Sequence, residues 1–187
     1  MIFFKQSQHP QLRSASMMRP LSIIIAVDQR GGFCKNKKIP WHYKEDFKFF
    51  KNKTNGGICI MGRNTYQEIA EKTKILEKSN QEALLPDRES YVLSNTTDFV
   101  PVGAKLAKGL HDVCDNLKEH DTREIFVLGG ESLFIEALSW TTKIYMTMID
   151  EDYACDHFFP LQVLDTNFII TQGRKVGDLY FVEYHRK

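Results

Sequence analysis

The chain has 187 residues, 42% hydrophobic and 26% charged, with a formal net charge of +1. That length suits one domain with a sizeable core, and the near-neutral balance excludes nucleic acid or an anionic membrane surface as a partner recognised by overall charge. No apolar run approaches the roughly 18 residues that would span a bilayer.

Residues 1–17 are basic, carry Ser14 and Ser16, and contain no acid. That composition is weakly like a transit peptide, and an upstream start or a disordered extension is the expected reading. The expected organisation is an N-terminal extension over 1–17, outside the folded domain, and a single domain over 18–187. Leu21 to Val27 is short, apolar and β-branched, the pattern of a strand buried on both faces. Gly31 and Gly32 end it, and a basic loop from Lys35 to Lys38 leads to Ile39-Pro40-Trp41. Tyr43 to Lys53 has helical spacing, with Phe47 and Phe50 on one face. Ile58 to Met61 is a second buried strand; Gly62 stops it, and Asn64 is a candidate cap for a helix from Thr65. Glu71 to Leu84 has the composition to continue as helix until Pro86. Tyr91–Leu93 and Ile125–Leu128 read as strands. Leu110–Leu117 and Glu131–Leu138 read as helices. Lys143–Asp150 alternates as a strand, and 168–171 with 179–184 form an expected antiparallel pair. Alternating strands and helices predict an α/β fold: a mostly parallel sheet with helices on both faces and an antiparallel C-terminal hairpin.

Cys34, Cys59, Cys114 and Cys155 show no Cys-x-x-Cys spacing, and no histidine shows zinc spacing. Free thiols in a reducing compartment, the cytoplasm, and no metal site are therefore expected. Two glycine turns follow buried strands: Gly62-Arg63-Asn64-Thr65 and Gly129-Gly130-Glu131-Ser132. A strand running through glycine into a helix presents free backbone N–H groups, which suit a phosphate, although glycine also simply ends strands. Arg63 offers a fork of donors for a further phosphate, or is a solvated surface arginine; Ser94 could add a hydroxyl to the same anion. Asp46 sits among Phe47, Phe49 and Phe50, five residues after Trp41. It is either an exposed helix acid or a partly buried functional one.

Taken together, these pieces resemble the dihydrofolate reductase family. The matching segments are Ile24-Ile25-Ala26-Val27, Ile39-Pro40-Trp41 with Asp46, Met61-Gly62-Arg63-Asn64-Thr65-Tyr66, Leu85-Pro86-Asp87-Arg88 and Leu93-Ser94. They continue with Leu128-Gly129-Gly130-Glu131-Ser132-Leu133-Phe134, Tyr145-Met146-Thr147 and Asp156-His157-Phe158-Phe159-Pro160. The resemblance implies NADPH-dependent reduction of dihydrofolate to tetrahydrofolate, feeding one-carbon and thymidylate metabolism, with hydride delivered to C6 and a proton to N5. It implies that Asp46 grips N3 and the 2-amino group of the pterin, that Thr147 is its hydroxyl partner, and that Trp41 fixes the active-site loop and a water. Ile24, Ala26, Phe47, Phe50, Ile69, Leu85 and Leu128 would line the substrate slot, and Arg88 would bind the glutamate tail. Arg63 and Ser94 would hold the 2′-phosphate. Ala26, Phe33, Gly62, Asn64, Thr65, Leu93, Asn95, Leu128, Gly129, Gly130, Glu131, Ser132, Leu133 and Phe134 complete the implied NADPH contacts. Antifolates are the implied inhibitors, and a monomer is the implied state.

Three departures from the family pattern stand out. Cys34 replaces a usual glycine in the loop over the nicotinamide and would be strained if that position needs a positive φ. Asp87 replaces the glycine before Arg88, and the link from Ile69 to Leu85 is long. Two rival readings remain at this stage: a reductase of the same fold acting on a pyrimidine of riboflavin synthesis, which would not need Trp41 with Asp46, and a non-catalytic folate-binding relative.

Overall fold

Seven residues, Leu21–Val27, form the strand around which the sheet is assembled (β1). In the computed structural model, which describes residues 18–77, 82–96 and 98–187, β1 lies between two parallel partners. The extension over 1–17 falls outside the described residues. The remaining strands are β2 (Gly32–Cys34), β3 (Ile58–Gly62), β4 (Glu89–Leu93), β5 (Lys105–Ala107), β6 (Ile125–Val127), β7 (Thr141–Ile149), β8 (His157–Phe158), β9 (Phe168–Val176) and β10 (Leu179–Arg186). The helices are α1 (Lys44–Thr54), α2 (Arg63–Thr73), α3 (Leu110–Asn116), α4 (Glu131–Ala137) and α5 (Gln162–Asn167). The main sheet has the order β5-β4-β3-β6-β1-β7-β10-β9, and β2 pairs with β8 in a separate ribbon. From β5 through β7 every pairing is parallel; β10 and β9 close one edge antiparallel. This is the expected α/β architecture.

The alternation of a strand's side chains divides the core into two layers. Ile23, Ile25 and Val27 of β1 join Ile58, Ile60, Val127, Ile144 and Met146 in the layer covered by α3 and α4. Ile24 turns the other way and packs with Cys59, Met61, Phe126 and Tyr145 under α1 and α2. Ile23, Ile58, Ile60 and Ile144 are wholly buried, and each contributes roughly 1.5–3 kcal/mol relative to an exposed position.

The structure corrects four local expectations. Helix α2 does not continue from Glu71 to Leu84. Lys74 takes the left-handed conformation at φ 53, its N–H bonds back to the Ala70 and Glu71 carbonyls, and a 3-10 turn, Ile75–Glu77, follows. Ile75 and Leu84, both 1% exposed, are buried at the two described ends of this stretch, and the part of the expected helix over 78–81 lies outside the described residues. Asn64 is not the cap of α2; Gly62 holds that position because β3 runs directly into the helix. On α1, Phe49 and Phe50 pack against the sheet layer, whereas Phe47 is exposed. Finally, the C-terminal hairpin is longer than its pattern suggested. Eight of the nine residues of β9 are exposed, so backbone pairing with β10 forms the strand without an alternating signature.

Asp87 stands in the left-handed region at φ 62, and its carbonyl accepts the Gly56 N–H at 3.0 Å. Asp tolerates this conformation better than most residues, whereas a β-branched side chain does not. Asp87→Val should therefore cost about 1–2 kcal/mol, and Asp87→Gly should stay within about 1 kcal/mol of the parent. Urea-denaturation midpoints of the two variants check this.

Candidate active site

Asp46, the third residue of α1, is half-buried. Aromatic packing sets α1 on the sheet: the Phe49 ring lies 4.8 Å from that of Phe181 on β10. The register then places Thr147 of β7 opposite both Ala26 of β1 and Phe181. Thr147 is 1% exposed, and its hydroxyl donates to the Asp46 carboxylate. Burial pushes the Asp46 carboxyl above the usual aspartate range, and the Thr147 hydrogen bond opposes part of that rise.

The residues expected to wall the slot fall into two apolar clusters. Ile24, Phe50, Ile69, Leu85 and Leu128 border one cluster, and Ala26 joins Trp41 and Phe49 in the next. Phe47 lies at the rim against His42, centroids 5.0 Å apart. Trp41 is 6% exposed and packs on Tyr153 at 5.1 Å. Its Nε1 donor is buried without a partner among the described residues, a costly arrangement that suits an acceptor from outside the chain. Arg88 stands near the Phe50 ring, at 5.9 Å, with its fork oriented by bonds to the Pro86 carbonyl at 2.8 Å and the Thr54 hydroxyl at 3.1 Å.

The two glycine turns, separate in sequence, are neighbours in space. Gly62 N–H donates to the Gly129 carbonyl at 2.7 Å, and Leu128 N–H to the Ile60 carbonyl at 2.8 Å. Gly129 has φ +109, and a Cβ there would lie 2.9 Å from the Phe134 ring, so only glycine fits. The Gly129–Gly130 peptide is cis. Neither Gly62 nor Gly130 supplies a side-chain cap to the helix it begins. The first-turn N–H groups of α2 therefore face the crevice at the carboxyl ends of the parallel strands, where such sheets bind nucleotides.

Arg63 and Ser94 come together at that end. Arg63 lies 4.7 Å over the Phe99 ring and 3.5 Å from the Thr96 hydroxyl, and Ser94 Oγ accepts the Thr96 N–H at 3.2 Å. Thr65 and Leu93 are half-buried there, and Asn64, Asn95 and Ser132 are exposed. Phe33 packs edge-on against Phe134, centroids 5.5 Å apart. Glu131 bonds the His157 Nδ1 at 2.7 Å. Leu133 and Phe134 are buried in the core beneath α4, so their side chains support the turn from below.

Cys34 is not strained. It lies on β2, outside the positive-φ residues, and pairs with β8. Burial, then Asp156 and Glu68, raise its thiol pKa; burial takes Cys59 to about 12. All four cysteines are free. Sequence reading missed Asp28, a carboxylate 1% exposed that accepts the Arg30, Gly32 and Tyr153 N–H groups and the Cys155 thiol. It ties the turn after β1 to the loop after β7. Its place at the end of an apolar strand, just before two glycines, was the available signal. Thr54 and Thr96 were also missed, and nothing in their local sequence marks them.

Comparison with known proteins identifies the family and fold. The family model described as dihydrofolate reductase matches residues 20–185. The curated dihydrofolate reductase of Rattus norvegicus is 32% identical over 159 residues, covering 77% of this chain and 80% of that protein. The Bacillus subtilis dihydrofolate reductase is 30% identical over 140 residues, 75% of each chain. The solved structure of dihydrofolate reductase from Enterococcus faecalis, complexed with NADP(H) and RAB-propyl, superposes with a TM-score of 0.71. It is 26% identical and covers 90% of this chain and 96% of that one.

Two predictions follow from the titrating groups. Because the raised Asp46 pKa means that the folded state holds its proton more tightly than the unfolded state, ionising it destabilises the fold. Asp46→Asn should therefore stabilise the chain at pH 7, with the gain shrinking as pH falls through the folded pKa towards about 3.9; urea unfolding against pH measures this. Cys34 should alkylate at pH 8 more slowly than a free cysteine peptide, since the thiolate is the nucleophile; a faster rate would contradict the raised pKa.

Proposed function

The chain belongs to the dihydrofolate reductase family and catalyses the NADPH-dependent reduction of dihydrofolate, and on that premise we propose which of its residues carry the reaction. NADPH, when bound, would supply a hydride to the pterin ring. The paired glycine turns fit that cofactor: Gly129 lets the backbone approach closely, and the uncapped start of α2 offers N–H groups and a positive dipole end to phosphate. Arg63 and Ser94, joined through Thr96, would hold the 2′-phosphate. Gly62, Thr65, Gly130 and Ser132 would meet the pyrophosphate, with Ala26, Leu128 and Phe33 near the nicotinamide.

The observation that carries the substrate assignment is the Thr147–Asp46 hydrogen bond inside an apolar slot. A carboxylate oriented by one hydroxyl keeps acceptor positions for two donors on one edge of a ring, which N3 and the 2-amino group of the pterin provide. Ile24, Phe47, Phe50, Ile69, Leu85 and Leu128 would exclude water from the ring, and Arg88 would take the tail carboxylate. The buried Trp41 Nε1 supports a water-mediated path for the proton to N5. Holding both reactants in fixed register is the protein's main contribution. The antifolate binding implied by the family would use the same acid.

Neither rival reading gains support. The proposed site puts Trp41 and Asp46 in one slot, which the pyrimidine reductase would not require, and Cys34, one of the two departures behind a non-catalytic reading, lies outside the positive-φ residues. From the family resemblance we infer a monomer with a single catalytic domain over 18–187. No described helix is long and apolar enough to cross a membrane; the four free thiols support a reducing compartment, the cytoplasm.

Asp46→Asn should lower kcat/KM for dihydrofolate by on the order of 10²-fold, about 2.7 kcal/mol of transition-state stabilisation, with NADPH affinity little changed. Steady-state kinetics with fluorescence titration of NADPH checks both halves, and wild-type turnover in the variant would remove Asp46 from the mechanism. Arg63→Ala should weaken NADPH by about tenfold, as expected for one charge-assisted contact, and leave NADH nearly unchanged. Equal losses for both cofactors would reassign Arg63.

A further inference from the structure

Between β2 and α1 the chain makes a tight hairpin. Lys35 and Lys38 exchange backbone hydrogen bonds at 2.9 and 3.0 Å, and Asn36 and Lys37 between them have φ of 49 and 64. Such a two-residue turn with positive φ at both positions is a rigid tip. The Asp156 carboxylate fixes one side of it by accepting the Asn36 N–H at 2.8 Å.

The other side is held by α2. Glu68 accepts the backbone N–H of Ile39 at 3.0 Å, and the same oxygen takes Lys72 Nζ at 2.7 Å. The Glu68 side chain is only 12% exposed. Lys72 in turn lies 5.9 Å from the centroid of the Phe47 ring on α1. A second link, Lys38 to Glu71 at 3.0 Å, is exposed at both ends and contributes little. Loop, α1 and α2 thus meet around Glu68, beside Phe47 and Ile69, residues placed above in the substrate slot.

We propose that Glu68 is a positioning residue whose bond to the Ile39 N–H latches segment 35–40 across the mouth between α1 and α2. The inference rests on the substrate slot proposed above. A charged acceptor on a backbone N–H is among the stronger hydrogen bonds, and holding the loop shut keeps the reactants aligned while water is excluded. The same latch has to open before the product leaves. Closure therefore favours the hydride step and slows release, and the identity of the side chain at position 68 tunes the balance between the two.

The test compares Glu68→Ala with Glu68→Gln, using NADPH, NADPH deuterated at the transferred position, and dihydrofolate. Glu68→Ala should slow single-turnover hydride transfer about tenfold and raise the deuterium isotope effect on kcat, because the chemical step then limits turnover. Glu68→Gln, whose amide oxygen still accepts the Ile39 N–H, should recover most of the hydride rate although its pairing with Lys72 is weakened. Wild-type hydride rate and isotope effect in Glu68→Ala would overturn the latch, as would a Gln variant that falls as far as Ala. Wild-type protein that fails to turn over dihydrofolate would instead overturn the functional reading, so the two failures are distinguishable.

Discussion

Much of the site depends on one hydrogen bond between a helix and the sheet, from Thr147 of β7 to Asp46 of α1. It requires β7 to pair with β1 so that Thr147 stands opposite Ala26. It also requires α1 to sit where Phe49 packs on Phe181. A slip of one residue in that pairing would turn Thr147 to the opposite face of the sheet. The acid would then lose its oriented partner while remaining desolvated. The chain keeps a desolvated carboxylate at some cost to stability, and in the proposed site a substrate edge that supplies two donors would offset that cost.

The proposed cofactor crevice follows from the same sheet read one strand further out. β3 and β6 are adjacent and parallel, so both end in the same crevice, and their glycine turns touch through the Gly62–Gly129 bond. The apolar cores on either face fix these ends, and Phe134 buttresses Gly129 from below. Asp28 extends the arrangement to the loops by linking the β1 turn to the segment after β7. The proposed site thus draws on loops anchored by the buried Asp28 carboxylate and by backbone bonds.

Physics separates what the sequence reveals from what it conceals. β1 and β3 were legible because a β-branched run bounded by glycine has few alternatives. β2, β5 and β8 are two or three residues long and leave no periodic trace, and α5 is barely longer. After Glu71, the left-handed Lys74 ends α2 despite a helix-forming composition, a local break that composition does not announce. Asp46 was visible as an acid among aromatics, yet pattern alone left it either exposed or functional. Only the strand register supplies Thr147. Arg63 and Ser94 stood out beside the ends of buried strands and resemblance added Arg88, whereas their supports, Thr96 and Thr54, reach them through contacts between loops and a helix end that carry no sequence signature.

The central claim is that Asp46 is a desolvated carboxyl oriented by Thr147, and carbon NMR of aspartate labelled at Cγ tests it most directly. Titration of the Asp46 resonance should give a pKa above the ordinary value of about 3.9. In Thr147→Val it should rise further, because the hydrogen bond that favours the charged form is gone. An Asp46 that titrates at or below the ordinary value, and is unmoved by Thr147→Val, would contradict the account.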